Sequence, residues 1–218
     1  MKKILIGFYI LVIIGIIACI SNSKIFLKNN SPAIAAGQKV YNKNCVVCHG
    51  DTGKGEGEKA GTALNNQNFL NSVPDKNLYN YIKYGREGTG MPDYGPRFSE
   101  EELKNLVAFI RNWQTKNIDF DVPKEISGNP VNGEKLYNLY CQNCHMEAGA
   151  GMLRMGTALS HPQFLKYTTD KQIWISTAYG REETRMGPSL KGLDGVRQLK
   201  KQDISDIVTY IRSLGEVK

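Results

Sequence analysis

The feature that most constrains this chain of 218 residues is a short motif, Cys-x-x-Cys-His, which occurs twice. It occupies residues 45–49 and residues 141–145, and the similarity between its two surroundings extends well beyond these five positions. The matching segments are Gly37-x-x-x-Tyr41 with Gly133-x-x-x-Tyr137, Gly61-Thr62-Ala63-Leu64 with Gly156-Thr157-Ala158-Leu159, Phe69-Leu70 with Phe164-Leu165, Tyr84-Gly85-Arg86-Glu87 with Tyr179-Gly180-Arg181-Glu182, and Met91 with Met186. The repeat predicts two copies of one module of about 85 residues.

Cys-x-x-Cys-His is the attachment pattern of covalently bound haem c. In the first module Cys45 and Cys48 would each form a thioether with a haem vinyl group, and the imidazole of His49 would bind the iron. The second module supplies the corresponding residues, Cys141, Cys144 and His145. A zinc site built from both cysteine pairs, or a disulfide within each pair, would leave the repeated histidine unexplained. The sequence therefore predicts two covalently bound haem c groups.

The second axial ligand of each iron is predicted to be a methionine. The first module contains no methionine except Met91, which lies in a short Thr-Gly-Met-Pro loop, and no histidine except the one in its motif. In the second module five side chains compete, namely Met146, Met152, Met155, Met186 and His161. We predict Met186, because the repeat aligns it with Met91. A histidine ligand, His161, is the alternative, and a loop or surface position for that histidine is favoured.

Both modules are predicted to be helical, with about three helices each and no strands. Middle helices are expected at residues 75–84 and 170–179. The last helices show apolar residues with i, i+3, i+4, i+7 spacing, at Leu103, Leu106, Val107 and Ile110 and at Ile204, Ile207, Val208 and Ile211. The predicted fold class is all-α, with domains at residues 33–116 and 131–218 and a linker containing proline and glycine at residues 117–130.

The amino terminus has the pattern of a signal peptide or membrane anchor. Lys2 and Lys3 precede an apolar run without charge that ends at residue 20, and residues 21–32 form a polar spacer. Residues 16–19 resemble a lipobox, in which Cys19 would be acylated after cleavage. Lipidation and a retained anchor both tether the protein, and cleavage with release is the third alternative. We expect the modules to lie on the extracytoplasmic (periplasmic or equivalent) side of a membrane.

The formal net charge of +7 does not indicate a nucleic-acid partner, because the chain has no long basic run and no cluster of basic and aromatic residues. Two haems would add about four propionate charges, which brings the exported protein close to neutral. Docking to any partner must therefore depend on local patches of charge.

Each module resembles a small single-haem cytochrome c of the mitochondrial type. The resemblance rests on the Cys-x-x-Cys-His motif near the first helix, a Met-Pro or Met-Gly-Pro loop and an amphipathic last helix, and it covers residues 32–215. It implies that the first and last helices cross closely at Gly37 and at Gly133. The Gly-Arg-Glu-Gly-Thr-Gly-Met-Pro segment resembles a form found in haem subunits of respiratory complexes, whereas in the second copy the proline, Pro188, is displaced by one place.

An iron held by histidine and methionine is coordinatively full, so it can exchange one electron but cannot easily bind a substrate. We therefore predict an electron-transfer protein, not an enzyme, that relays single electrons between a membrane respiratory complex and another redox protein, as a carrier or as a subunit. The complex would be a quinol-oxidising bc-type complex or a terminal oxidase. The alternatives are a di-haem peroxidase or thiosulfate dehydrogenase, and a sensor or structural subunit. Arg86 and Arg181 are candidates to pair with a haem propionate or to structure the methionine loop.

Overall fold

The computed structural model describes residues 31–59 and 61–215, and these residues form ten α-helices and no β-strand. The helices of the first half are α1 (Pro32–Asn44), α2 (Val46–His49), α3 (Gln67–Ser72), α4 (Asp75–Tyr84) and α5 (Glu100–Asn112). Those of the second half are α6 (Pro130–Tyr140), α7 (Gln142–His145), α8 (Pro162–Tyr167), α9 (Asp170–Tyr179) and α10 (Lys201–Ser213), with a 3₁₀ turn at Glu147–Gly149. The predicted all-α fold class is confirmed.

The helix count per half is higher than predicted. The three long helices of each half are those expected from the sequence, and α4 and α9 have the predicted bounds. Each half also contains two short helices, α2 and α3 or α7 and α8, of four and six residues. Segments this short cannot display a helical period, so the hydrophobic pattern did not reveal them.

The first turn of a helix has backbone N–H groups without a partner inside the helix. Several helices here begin with a proline, which has no N–H group, or with a side chain that accepts a hydrogen bond from one. Pro32, Pro130 and Pro162 each occupy the first position of a helix, where the missing proline N–H costs no hydrogen bond. Before α5, the Ser99 hydroxyl accepts from the backbone N–H of Glu102, whose carboxylate accepts from the backbone N–H of Ser99. This reciprocal capping box fixes the start of the last helix of the first domain.

The first and last helices of each half cross where one of them has a glycine. A Cβ atom at Gly37 in α1 would overlap the backbone oxygen of Asn105 in α5. A Cβ atom at Gly133 in α6 would overlap the backbone oxygen of Asp206 in α10 in the same way. The close crossing that the cytochrome c resemblance implied is therefore present in both halves.

Each half has its own apolar core with a buried tyrosine beside the crossing. Tyr41 and Tyr137 are both 0% exposed, and each hydroxyl donates to a backbone carbonyl at 2.7 Å. Their rings pack against aromatic residues of the last helix, namely Phe109 and Trp113 in the first half and Tyr210 in the second. The two cores are separate, so each half folds around its own centre.

The two halves pack against each other with a nearly two-fold pattern. The side-chain amide of Asn66 donates to the carbonyl of Glu182 at 2.8 Å, and Nε2 of His161 donates to the carbonyl of Glu87 at 2.8 Å. Asn66 and His161 are aligned in the repeat, as are Glu87 and Glu182. An interface in which equivalent residues exchange equivalent contacts is the arrangement found between the subunits of a symmetric dimer.

The segment between the halves packs on the second half. The Phe120 ring lies 4.8 Å from the Tyr179 ring, centroid to centroid, and the backbone N–H of Asp121 donates to the Tyr179 hydroxyl at 3.1 Å. The predicted linker is thus held against the surface of the second domain.

Residues 1–30 lie outside the described residues, and with them the predicted leader, Cys19 and most of the spacer. Of the helices that the structure does describe, none combines the length and the apolar character needed to cross a membrane.

Candidate haem-binding sites

The two Cys-x-x-Cys-His motifs adopt the same local conformation. In each, the first cysteine ends the long first helix, and the second cysteine and the histidine lie in the short helix that follows. The backbone N–H of His49 donates to the carbonyl of Cys45 at 2.8 Å, and that of His145 donates to the carbonyl of Cys141 at 2.9 Å. One helical turn therefore brings both thiols and the imidazole of each motif to one place.

Both histidines are oriented by a hydrogen bond to a threonine carbonyl. Nδ1 of His49 lies 2.7 Å from the Thr62 oxygen, and Nδ1 of His145 lies 2.8 Å from the Thr157 oxygen. A carbonyl only accepts, so Nδ1 carries the proton and Nε2 keeps a lone pair for a metal. Burial lowers the pKa of both imidazoles, partly opposed by these hydrogen bonds, and so favours the neutral form that ligates iron.

The carbonyl partners belong to the repeated Gly-Thr-Ala-Leu segment, whose role the sequence alone did not show. A Cβ atom at Gly61 would lie 2.9 Å from Nδ1 of His49, and one at Gly156 would lie 3.0 Å from Nδ1 of His145. Any larger residue would press on the imidazole or on the cysteine backbone beside it. The repetition of this segment was the available signal that it contacts the motif.

The loop that carries Met91 is closed by its own hydrogen bonds. The backbone N–H of Arg86 donates to the Met91 carbonyl at 2.8 Å. The Thr89 hydroxyl donates to the Arg86 carbonyl at 2.7 Å and accepts from the Met91 N–H at 3.2 Å. Gly85 precedes the loop with a φ of 53°, a left-handed conformation that glycine adopts without strain. The partly buried Met91 side chain packs against the first core, as does Cys45.

The second loop repeats these bonds around Met186. The backbone N–H of Arg181 donates to the Met186 carbonyl at 2.7 Å, and the Thr184 hydroxyl bridges the same two residues at 2.8 and 3.1 Å. The displacement of Pro188 therefore leaves the conformation before the methionine unchanged. The two loops therefore close through the same hydrogen bonds before their methionines.

The other candidate ligands of the second domain are placed differently. His161 uses both ring nitrogens, since Nε2 donates to Glu87 and Nδ1 accepts from the N–H of Gln163 at 3.3 Å. Met152 is exposed, and the Met155 sulfur accepts from the Arg185 guanidinium at 3.0 Å. These contacts do not support a ligand role for His161.

The cysteine pairs do not form a shared metal site. Among the described residues, no three His, Cys, Asp or Glu side chains converge as metal ligands, and all four motif cysteines are free thiols. Burial, the largest cause, raises the pKa of Cys45 to about 12 and that of Cys141 to about 11. Because no such group of ligands surrounds either cysteine pair in the described part of the chain, the pairs do not fit the zinc alternative.

Two buried side-chain donors also fit a haem. Nε of Arg181 and Nε1 of Trp174 are shielded from solvent and have no hydrogen-bond partner among the described residues. A haem carries two carboxylates, and these are acceptors of the kind that such donors require. Together with the thiols, the fixed imidazoles and the methionine loops, the donor set is suited to haem c.

A duplicated helical fold with one such site in each half defines the class of di-haem c-type cytochromes. Comparison with known families agrees: residues 32–110 match the family described as cytochrome c oxidase, cbb3-type, subunit III, and residues 130–215 match cytochrome c. The chain belongs to the c-type cytochromes and consists of two cytochrome c domains in tandem, and two such domains imply two covalently bound haem c groups.

The most informative relatives are oxidase subunits. The cbb3-type cytochrome c oxidase subunit CcoP of Azospirillum sp. (strain B510) is 23% identical over 201 residues, which cover 84% of this chain and 62% of that protein. The cbb3-type subunit FixP of Azorhizobium caulinodans is 32% identical over 81 residues, 37% of this chain and 27% of that protein. The chain thus spans less than two thirds of the length of either relative.

Among solved structures, a chain of the Kuenenia stuttgartiensis reducing HAO-like protein complex aligns with 82% of this chain and 95% of its own length, at 19% identity and a TM-score of 0.49.

Proposed function

We propose that this protein transfers single electrons through two haems as a membrane-tethered subunit of a terminal oxidase, or as a carrier that serves one. The observation that supports this most directly is that both domains repeat the same fixed imidazole and the same closed methionine loop. In each domain, the proposed thioether residues are the motif cysteines and the proposed iron ligands are the histidine and the methionine. These residues are Cys45, Cys48, His49 and Met91, and Cys141, Cys144, His145 and Met186.

Haem c, held by histidine and methionine, supplies a one-electron couple, and a thioether ligand in an apolar setting favours its reduced form. The residues of this chain would hold both axial ligands of each iron in fixed positions. The Thr62 and Thr157 carbonyls fix the imidazole planes, and the loop hydrogen bonds hold each methionine in one position. A rigid site of this kind changes oxidation state without large movement of its ligands.

The partner assignment follows from the relatives. CcoP and FixP are named as cbb3-type oxidase subunits, and the first domain matches the family of that subunit. We propose that the membrane tether lies in residues 1–20, through an anchor or through lipid on Cys19, and that the two domains, residues 33–116 and 131–218, are extracytoplasmic. A bis-histidine haem in the second domain is not favoured, because both nitrogens of His161 are already hydrogen-bonded.

The ligand assignment can be tested on the ferric holoprotein through the weak near-infrared band of methionine-ligated haem. Substitution of Met91→His or Met186→His should each remove about half of this band, because each haem contributes one methionine–iron bond. The exposed Met155 provides the control, and M155L should leave the band unchanged. An unchanged band in M186H, or ready binding of carbon monoxide by either reduced haem of the unaltered protein, would contradict the assignment.

The partner proposal has its own test. The chain should co-purify with oxidase subunits from solubilised membranes. Its recovery alone, or with an unrelated complex, would contradict the oxidase assignment and leave the haem ligands unaffected.

A further inference from the structure

The second domain has a contact between the turn that follows its Cys-x-x-Cys-His motif and its methionine loop. Nη1 of Arg185, the residue before Met186, donates to the sulfur of Met155 at 3.0 Å. The repeat aligns Met155 with Ala60 and Arg185 with Gly90, so the first domain has neither side chain. A link between the two segments through a methionine sulfur is therefore a feature of the second domain alone.

The turn that carries Met155 is held by bonds on both of its sides. The backbone N–H of Met152 donates to the Gly156 carbonyl at 3.0 Å, and the N–H groups of Met155 and Gly156 both donate to the Met152 carbonyl at 3.1 Å. The Arg154 guanidinium ties the turn to the first domain through the Glu58 carbonyl at 2.8 Å. The backbone at Met155 therefore cannot move away from the methionine loop without breaking these bonds.

The sulfur of Met155 is available for chemistry that the proposed haem ligation does not use. The side chain is 37% exposed, and an exposed thioether is open to oxidation to a sulfoxide. A thioether sulfur is only a weak acceptor, whereas a sulfoxide is polar and its oxygen accepts hydrogen bonds well. The Arg185 guanidinium already points at this sulfur, and a hydrogen bond from a charged donor is stronger than a neutral one. The structure thus provides a partner for the oxidised side chain.

We propose that Met155 is a site of reversible oxidation by peroxide and that its sulfoxide acts on the methionine loop of the second domain through Arg185. One oxygen atom of hydrogen peroxide is transferred to the sulfur as the O–O bond breaks. The sulfur loses two electrons, and the other oxygen leaves as water with both hydrogens. Reduction by methionine sulfoxide reductases returns two electrons and restores the thioether.

The added oxygen changes the contact with Arg185. A nitrogen and a sulfur 3.0 Å apart leave no room for an oxygen hydrogen-bonded between them, so the guanidinium must move outward. Arg185 lies directly before Met186, and its carbonyl accepts from the N–H of Gly187 at 3.1 Å. A loop displaced from the motif weakens the methionine–iron bond, which is the bond that favours reduced haem. This consequence rests on the proposed function, whereas the oxidation of Met155 does not.

The test exposes the ferric holoprotein to dilute hydrogen peroxide, which catalase then removes. Peptide mass spectrometry measures the fraction of each methionine that has gained an oxygen atom. Redox titration measures the midpoint potentials of both haems, which are assigned with Met91→His and Met186→His. Met155→Leu removes the proposed site. Met152→Leu is the matched control, because Met152 lies in the same turn and is 47% exposed.

In the parent protein Met155 should gain an oxygen atom, and the midpoint potential of the second haem should fall. At a fixed applied potential the ratio of reduced to oxidised second haem should decrease several-fold, and that of the first haem should stay the same. M152L should respond like the parent, and M155L should not respond. In R185Q the oxidation of Met155 should persist without the change in potential. Methionine sulfoxide reductases should reverse the change in the parent.

An unmodified Met155 beside an oxidised Met152 would overturn the oxidation site. Unchanged potentials after complete oxidation of Met155, an equal response of both haems, or the parent response in M155L or R185Q would overturn the action through Arg185. Failure of the proposed function would look different, since the untreated protein would then lack a haem or bind carbon monoxide. The mass measurement on Met155 would still decide the oxidation site.

Discussion

The two domains keep the same backbone hydrogen bonds around the haem sites, while the residues at some positions nearby have changed. His49 and His145 both donate to a threonine carbonyl, and both methionine loops close through the same bonds. By contrast, Gly88 of the first loop is replaced by Glu183 in the second, although both have a positive φ, 74° and 59°. The hydrogen bonds that hold the histidine and close the methionine loop are therefore the same in both domains, whereas the type of residue at a neighbouring loop position differs.

A second difference lies at the crossing of the first and last helices. The first domain has Asn105 at the crossing, and the second has Asp206, whose buried carboxylate accepts three hydrogen bonds. The donors are the backbone N–H of Asn129 at 2.9 Å, the Gln202 amide at 2.9 Å and the Asn132 amide at 2.7 Å. The second domain therefore ties the end of the linker to its last helix through a charged group.

The largest expected effect concerns the feature that the two crossings share. Substitution of Gly37→Ala or Gly133→Ala places a methyl group against a backbone oxygen that cannot move without separating the helices. We expect each variant to lose about 3 kcal/mol of stability in its own domain. Urea unfolding, followed domain by domain through far-UV circular dichroism and the haem spectrum, measures the loss.

Matched controls for the crossing are Gly90→Ala and Gly187→Ala. An added Cβ meets no atom within 4 Å at either position, so both variants should unfold like the parent protein. A smaller loss for G133A than for G37A would show that the Asp206 network holds the second crossing when its packing is impaired. Losses equal to those of the controls would refute the packing argument.

The sequence predicted those parts of the structure that depend on spacing along the chain. The Cys-x-x-Cys-His motifs, the long helices and the alignment of Met186 with Met91 needed only periodicity and the repeat. The sequence could not show that the Thr62 carbonyl accepts the hydrogen bond of His49. Every residue has a backbone carbonyl, so this contact cannot be inferred from the type of residue. Contacts between the domains were equally hidden, since the stacking of Arg181 on Phe69 joins positions that only the folded chain brings together.

The next largest effect is a dependence of stability on pH, which is expected only at the second crossing because it contains Asp206. Burial alone would raise the pKa of Asp206, but the hydrogen bonds from Asn132, Gln202 and Asn129 lower it below its usual value. A folded-state pKa below the unfolded value of about 3.9 means that the network stabilises fully above that pH and is lost as the pH falls through the folded pKa. We expect Asp206→Asn to cost about 1–3 kcal/mol at pH 7.

At pH 3 the cost of D206N should be smaller, because pH 3 lies below the unfolded pKa of about 3.9 and part of the stabilisation by the carboxylate is lost there. Thermal unfolding of the second domain at both pH values checks this, with the exposed Asp194→Asn as the control that should change little at either. If D206N lowers the stability equally at pH 7 and at pH 3, the contribution of Asp206 depends on its packing and not on the charge of its carboxylate.

The smallest expected effect tests whether the positive φ of Glu183, at the position of Gly88 in the first loop, strains the backbone. A Cβ at Gly88 meets no atom within 4 Å, so Gly88→Ala should cost about 1 kcal/mol through its left-handed backbone alone. Glu183→Gly should instead increase the stability, because glycine adopts a positive φ without strain. The gain should be only about 0.5 kcal/mol, because glycine also raises the entropy of the unfolded chain. The melting temperatures of the two variants measure both changes.

Glu183 also pairs with Lys54 across the interface at 2.6 Å, but both side chains are at least half exposed, so this pair contributes little. The neighbouring Glu182 does not have a positive φ, and E182G should therefore destabilise where E183G stabilises. If E183G destabilises as well, the ion pair outweighs the backbone strain. The second loop would then differ from the first because Glu183 forms an ion pair with the other domain, and the tolerance inferred from Gly88 would not apply to it.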